Sequence, residues 1–164
     1  MTIALIGIGN VLLQDERVGV HVVETIRERF SFSPEIEILD GGTLGLDLLP
    51  TIERLEKVLF VDAVNFGKEP GYIGMLEDDE IPAVLYVKLS VHHVGLADLL
   101  SVAKLTGVIP KKVCLLGIQP QDSAFAFGLE LSEHVRDKID ILIDQVISKL
   151  QEWNVQCVLR SPQK

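Results

Sequence analysis

Thiol chemistry is nearly absent from this chain. Its two cysteines, Cys114 and Cys157, are far apart in sequence and neither has a CxxC neighbour. That excludes a disulfide framework and a thiolate metal site. Cys114 lies inside the apolar run KKVCLLGI and reads as a small core residue. Aromatics are scarce as well, at 5%, so the core must be built from Leu, Val and Ile. Positive charge is short: 15 Lys and Arg face 24 Asp and Glu, for a formal net charge of −9. Such a chain repels phosphate backbones, and no basic cluster compensates, which excludes nucleic acid as a partner. A basic or metal-charged partner surface suits it better. No apolar run approaches the roughly 20 residues that cross a bilayer, so no membrane association is expected. The start, MTIALIGIGN, has neither a basic n-region nor a cleavage site, and a cytoplasmic location is expected. Neither a GxSxG elbow nor an HExxH helix occurs, which argues against serine-hydrolase and zincin chemistry.

What the chain does have is a regular alternation of strand-length apolar runs and helical patterns. With 164 residues and 48% apolar content, it can fill one substantial core, and a single domain over 1–164 is expected. IALIGIG (3–9) and KVLFVDAV (57–64) are apolar on both faces, as strands inside a parallel sheet are. EIEILD (35–40) alternates and runs into two glycines, and KKVCLLGI (111–118) is a fourth strand. GYIGMLE (71–77) follows the preceding strand too closely for a parallel crossover and is expected to be antiparallel.

Helical spacing links Val18, Val22, Val23, Ile26 and Phe30, and again Ile139, Leu142, Ile143, Val146, Ile147 and Leu150. LGLDLLPTIERL reads as one helix or two short ones, with Pro50 a potential kink, and GLADLLSVAKLTG (95–107) as another helix. The tail, 151–164, has no clear periodicity. The pattern describes an α/β domain, mainly parallel, with helices on both faces of the sheet.

In open α/β sheets the ligand site lies outside the carboxyl ends of the strands. Four such ends carry polar residues here: Asn10 with Asp15 and Glu16, then Asp40, Asp62 and Gln119. Neighbouring strands are about 4.8 Å apart, so side chains from adjacent ends can converge on one atom. SVHHVG (90–95) adds His92 and His93 just ahead of a predicted helix. Two carboxylates and an imidazole make a borderline ligand set suited to nickel or zinc. Each residue also has a plainer use. Asp15 could cap the helix beginning near Arg17, Asp62 could shape a turn, and Asp40 before two glycines is a normal turn former. One of His92 and His93 could be scaffold, and His21 and His134 read as surface residues.

The stretches GIGNVLLQDERVGVHV, LDGGTLGLDLL, FVDAV, HHVGLADLL and PKKVCLLGIQP occur in the order found in the hydrogenase maturation proteases. The chain resembles that family over about residues 3–150. The resemblance implies a three-layer α/β/α sandwich around a mixed, mainly parallel five-stranded sheet of the phosphorylase/hydrolase type. It implies an endopeptidase, acting as a monomer, that removes the C-terminal extension from a nickel–iron hydrogenase large-subunit precursor. The family's metal-binding trio falls on Glu16, Asp62 and His92, the last through the pattern His-x-x-Gly-Leu, and its DGGT segment on Asp40 to Thr43. Nickel would arrive with the substrate, other divalent ions filling the site only adventitiously. Peptide cleavage would follow either from a metal-activated water or from general-base action by a carboxylate such as Asp40, an aspartyl-type route.

Two other readings compete. Gly7 and Gly9 after the first strand, with Asp40 ending the second, suggest a dinucleotide-dependent oxidoreductase. Leu12 stands where that fingerprint needs its third glycine, and Asp15 and Glu16 would repel phosphate. A nickel-sensing assembly chaperone could use the same trio without cutting anything.

Overall fold

The computed structural model describes residues 2–9, 14–42, 44–87, 91–121 and 130–161, with the side chains at 83, 85–87 and 91–94 outside that description. Its centre is a five-stranded sheet in the order β3-β1-β4-β6-β5. The strands are β1 (Ile3–Ile8), β3 (Glu37–Gly42), β4 (Lys57–Ala63), β5 (Ile73–Glu77) and β6 (Lys112–Ile118). Three of the four pairings along this order are parallel, and in the last β5 runs antiparallel to β6. The short link after β4 dictated that reversal, as the sequence predicts.

Alternation along the strands feeds two cores. Leu5, Leu59, Val61 and Leu116 pack on one face against α1 (Val18–Arg29) and α6 (Ile139–Glu152), which present Val22, Ile26, Leu142 and Val146. Ile6, Val58, Phe60 and Leu115 pack on the other against α2 (Leu49–Ile52), α3 (Glu80–Val87) and α4 (Val91–Leu105), through Ile52, Ile81, Leu99 and Leu100. The result is the expected three-layer α/β/α arrangement with a mixed, mainly parallel sheet.

Some local expectations need correction. The helical pattern through Phe30 ends at Arg29, and Phe30–Ser33 forms β2, paired antiparallel with β7 (Gln156–Leu159) from the tail. Both strands are four residues long, too short for either to show a period of its own. Pro50 does not kink a helix. A 3₁₀ turn at Gly45–Leu48 leads into α2, and Pro50 occupies its first turn, where a missing N–H costs nothing. Helix α3 was not expected, and α4 begins four residues before Gly95, so His92 and His93 lie in its first turn rather than ahead of it. Among the described residues, no helix is long and apolar enough to cross a membrane.

Candidate active site

The connections fix where a site can form. From β1 the chain passes to the α1 side of the sheet, whereas the chain leaving β4 goes on to α3 and α4 on the opposite side. Strands β1 and β4 are neighbours, so a crevice opens between their carboxyl ends. The residues after β1 and at the end of β4 are the sequence candidates Glu16 and Asp62.

Close backbone approach, not phosphate binding, explains the glycines of this loop. A Cβ on Gly7 would lie 2.5 Å from the carbonyl oxygen of Gly19, and one on Gly19 would lie 2.1 Å from that of Val61. Helix α1 therefore starts directly on the strand ends. Gly9, at φ +145°, donates its N–H to the Gly42 carbonyl at 2.9 Å. A Cβ there would fall 1.8 Å from the Glu16 carbonyl oxygen. Glu16 is carried on the 3₁₀ turn Asp15–Arg17, pressed against the strand ends.

Asp15 and Glu16 play different parts. Asp15 does not cap α1, which begins without a side-chain cap. The residue is 5% exposed, and among the described residues its carboxylate accepts three hydrogen bonds. The donors are the backbone N–H of Gln121 at 2.8 Å, the backbone N–H of Ser132 at 2.7 Å and the Ser132 hydroxyl at 2.7 Å. Both oxygens are engaged, which compensates the buried charge and ties Asp15 to the segments that carry Gln121 and Ser132.

Asp62 is fully buried at the end of β4 and continues the alternation of Val58 and Phe60. It thus belongs to the face covered by α4, and one of its oxygens accepts the N–H of Ala63 at 2.8 Å. Gly117 stands opposite it on β6, so no side chain crowds it from that strand. Asp40 sits at the end of β3 opposite Gly7, exposed, with Oδ1 accepting the Gly42 N–H at 2.8 Å. It continues the alternation of Ile38, so it starts from the α1 face while Asp62 belongs to the other.

The first turn of α4 is brought to the same end of the sheet. A Cβ on Gly45 would lie 3.4 Å from the Cα of Gly95, so the turn after β3 packs backbone to backbone on the start of α4. His92 and His93 lie in that first turn, and their imidazoles are outside the described residues, as are Asn10, Leu12 and Thr43. Among the described residues alone, no three His, Cys, Asp or Glu side chains form an ion-holding group.

The other polar candidates serve structure. Gln119 accepts N–H bonds from Phe66 at 2.7 Å and Lys68 at 3.3 Å through Oε1 and donates to the Asn65 side chain at 3.2 Å, so it ties down the loop leaving β4. Cys114 is buried in the core, and burial pushes its thiol up to about 12, which makes it inert. His134 is on the surface, but His21 is half-buried. Sequence reasoning missed the bond between Asp15 and Ser132, whose signal was a serine at the cap position of α5 (Glu133–Arg136).

Fold and site together define a class: a three-layer α/β/α protein with carboxylates at a topological switch point and no nucleophile elbow. A family model, hydrogenase maturation protease, matches residues 20–149. The hydrogenase 2 maturation protease of Escherichia coli K12 is 38% identical over 161 residues, covering 98% of this chain and 97% of that protein. The hydrogenase expression/formation protein HupD of Bradyrhizobium diazoefficiens is 39% identical over 160 residues, covering 97% and 83%. Among solved structures, the hydrogenase maturating endopeptidase HybD from E. coli superposes with a TM-score of 0.91 at 37% identity, covering 98% of each chain. The chain belongs to the hydrogenase maturation protease family and is a peptidase.

Proposed function

We propose that this peptidase removes the C-terminal extension of a nickel–iron hydrogenase large-subunit precursor after nickel has been inserted. Glu16, Asp62 and His92 recognise that nickel. The observation that carries the reading is that the turn holding Glu16 packs on the end of β1, beside the strand β4 that carries Asp62, with the first turn of α4 at the same end of the sheet. The extent of the likeness to the maturation proteases supports it.

Nickel is part of the substrate in this account. Asp62, fully buried at its strand end, offers a carboxylate with which a cation delivered by the precursor can pair away from water. Two oxygens and one imidazole, with no thiolate, bind a borderline ion without holding it tightly. Precursor lacking nickel would bring no such charge, and this gives the enzyme its selectivity.

Cleavage then needs water at the scissile carbonyl beside the docked ion. In this reading Asp40, exposed and with Oδ1 accepting the Gly42 N–H, takes the proton from that water. The water oxygen bonds to the carbonyl carbon, the C–N bond breaks, and the departing amine receives the proton. The setting is the cytoplasm, and the enzyme acts as a monomer.

Incubation of the protease with nickel-loaded precursor, followed by mass analysis of the large subunit, tests the proposal. The expected result is a single new mass, shorter by a C-terminal segment. Stable binding of the precursor with its mass unchanged would make the protein a chaperone instead.

A further inference from the structure

We propose that Asp15 is a positioning residue of the peptidase reaction, acting on Glu16 by fixing the turn that both share. The inference rests on reading Glu16 as a ligand to the substrate's nickel. Asp15 reaches two places remote in sequence, Gln121 just beyond β6 and Ser132 just before α5, with three bonds of 2.7 to 2.8 Å.

Ser132 shows where these bonds are directed. It occupies the N-cap of α5 with extended backbone, where a serine hydroxyl ordinarily caps its own helix. It makes no such cap bond and gives its hydroxyl to Asp15 instead. The turn is gripped from its other side too, because the Glu16 carbonyl rests against Gly9 where no Cβ fits. In a 3₁₀ turn successive side chains project about 120° apart, so locking Asp15 into the interior sets the direction in which Glu16 leaves the turn. A neutral side chain would serve less well. Three donors converge on two oxygens, and an asparagine would present an N–H₂ to one of those donors.

The test compares Asp15→Asn, Ser132→Ala, Ser132→Thr and Glu16→Gln with the parent protein. Unfolding midpoints are measured first, and then kcat and KM on nickel-loaded precursor at a temperature where each protein is fully folded. Asp15→Asn should lower kcat/KM by about tenfold or more per folded molecule, the scale of a displaced reacting group. Ser132→Ala should lower it less, and Ser132→Thr should restore what alanine loses. An Asp15→Asn protein with a lowered midpoint but the parental rate would reduce Asp15 to a brace and overturn the proposal. If Asp15→Asn does not fold, the serine pair decides: a parental rate in Ser132→Ala overturns it, and a loss recovered by threonine sustains it. A parent that leaves the precursor uncut, or a Glu16→Gln protein that cuts at the parental rate, overturns the underlying reading of Glu16 and the proposal built on it. The Asp15 and Ser132 results then cannot rescue either one.

Discussion

The backbone of Gly9 and the carbonyl of Glu16 are packed so closely that a single methyl group between them would stand 1.8 Å from the oxygen. The acidic turn thus packs directly on the end of the first strand, and Gly9 bonds across to Gly42 on β3 at the same place. The φ of +145° at Gly9 adds a second penalty for any side chain. Gly9→Ala should push the Glu16 turn off the strand ends. The expected outcome is cleavage of nickel-loaded precursor reduced about a hundredfold, the scale of an ångström's misplacement. Unfolding curves taken alongside separate that loss from simple instability. Parental activity in a folded Gly9→Ala protein would show that the turn's position is unimportant.

The histidine doublet is resolved by substitution. The His-x-x-Gly-Leu pattern selects His92, and Gly95 is the residue against which the Gly45 turn packs, so the register of this helix start is fixed by backbone contact. His92→Ala should abolish processing, and His93→Ala should leave it within a few fold. Equal losses in two folded variants would mean that both imidazoles act, or that the register is displaced by one.

Asp40 tests the route of bond cleavage. Asparagine keeps an oxygen for the Gly42 N–H and removes the base. If Asp40 takes the proton from water, Asp40→Asn should lower kcat by about a hundredfold or more while KM changes little. A loss below tenfold would leave water activation to the nickel alone.

The layers, the mixed sheet and the antiparallel β5 were legible because their signals are local: buried runs such as 57–64, a short link, and helical spacing in α1 and α6. The β2–β7 ribbon was not, because FSFS and QCVL find each other across most of the chain and neither is long enough to show a pattern alone. Lys149 belongs to the same category. It falls on the apolar side of α6, 6% exposed, with Glu152 3.2 Å away one helical turn on, and only the fold brings Glu77 to 2.6 Å from it. At the site, the family resemblance chose Glu16 and Asp62 from the polar candidates that residue type and strand-end position had brought together. Type and position alone could not separate Asp15 from Glu16, since that distinction depends on Ser132 and Gln121 meeting Asp15 after folding. Nor could they show that Asp40 and Asp62 start from opposite faces, which follows from register.

His21 makes stability depend on pH. Burial lowers its pKa from 6.5, with Arg17 and Arg29 adding to the effect and Glu28 opposing it. The unfolded chain therefore binds this proton more readily than the folded one. The histidine costs nothing while it is neutral in both states. Stability falls as pH drops through the unfolded value, and the loss becomes constant below the folded one. Urea midpoints at about pH 7 and about pH 5 should draw apart more for the parent than for His21→Asn. Equal shifts would place the acid sensitivity elsewhere.

The account's central claim is that nickel reaches this site on the substrate and that Glu16, Asp62 and His92 recognise it there. The most direct measurement uses protease stripped of metal by a chelator and then freed of the chelator, with its metal content determined. It is mixed with precursor prepared with or without nickel, and the large subunit's mass is followed over time. The account predicts that metal-free protease shortens the nickel-loaded precursor and leaves the nickel-free form intact. Glu16→Gln and Asp62→Asn, which remove charge with little change of shape, should slow the first reaction. Stoichiometric zinc in the protease as purified, activity lost with that zinc and regained on its return, and cutting of nickel-free precursor would contradict it and make the protein an ordinary metallopeptidase.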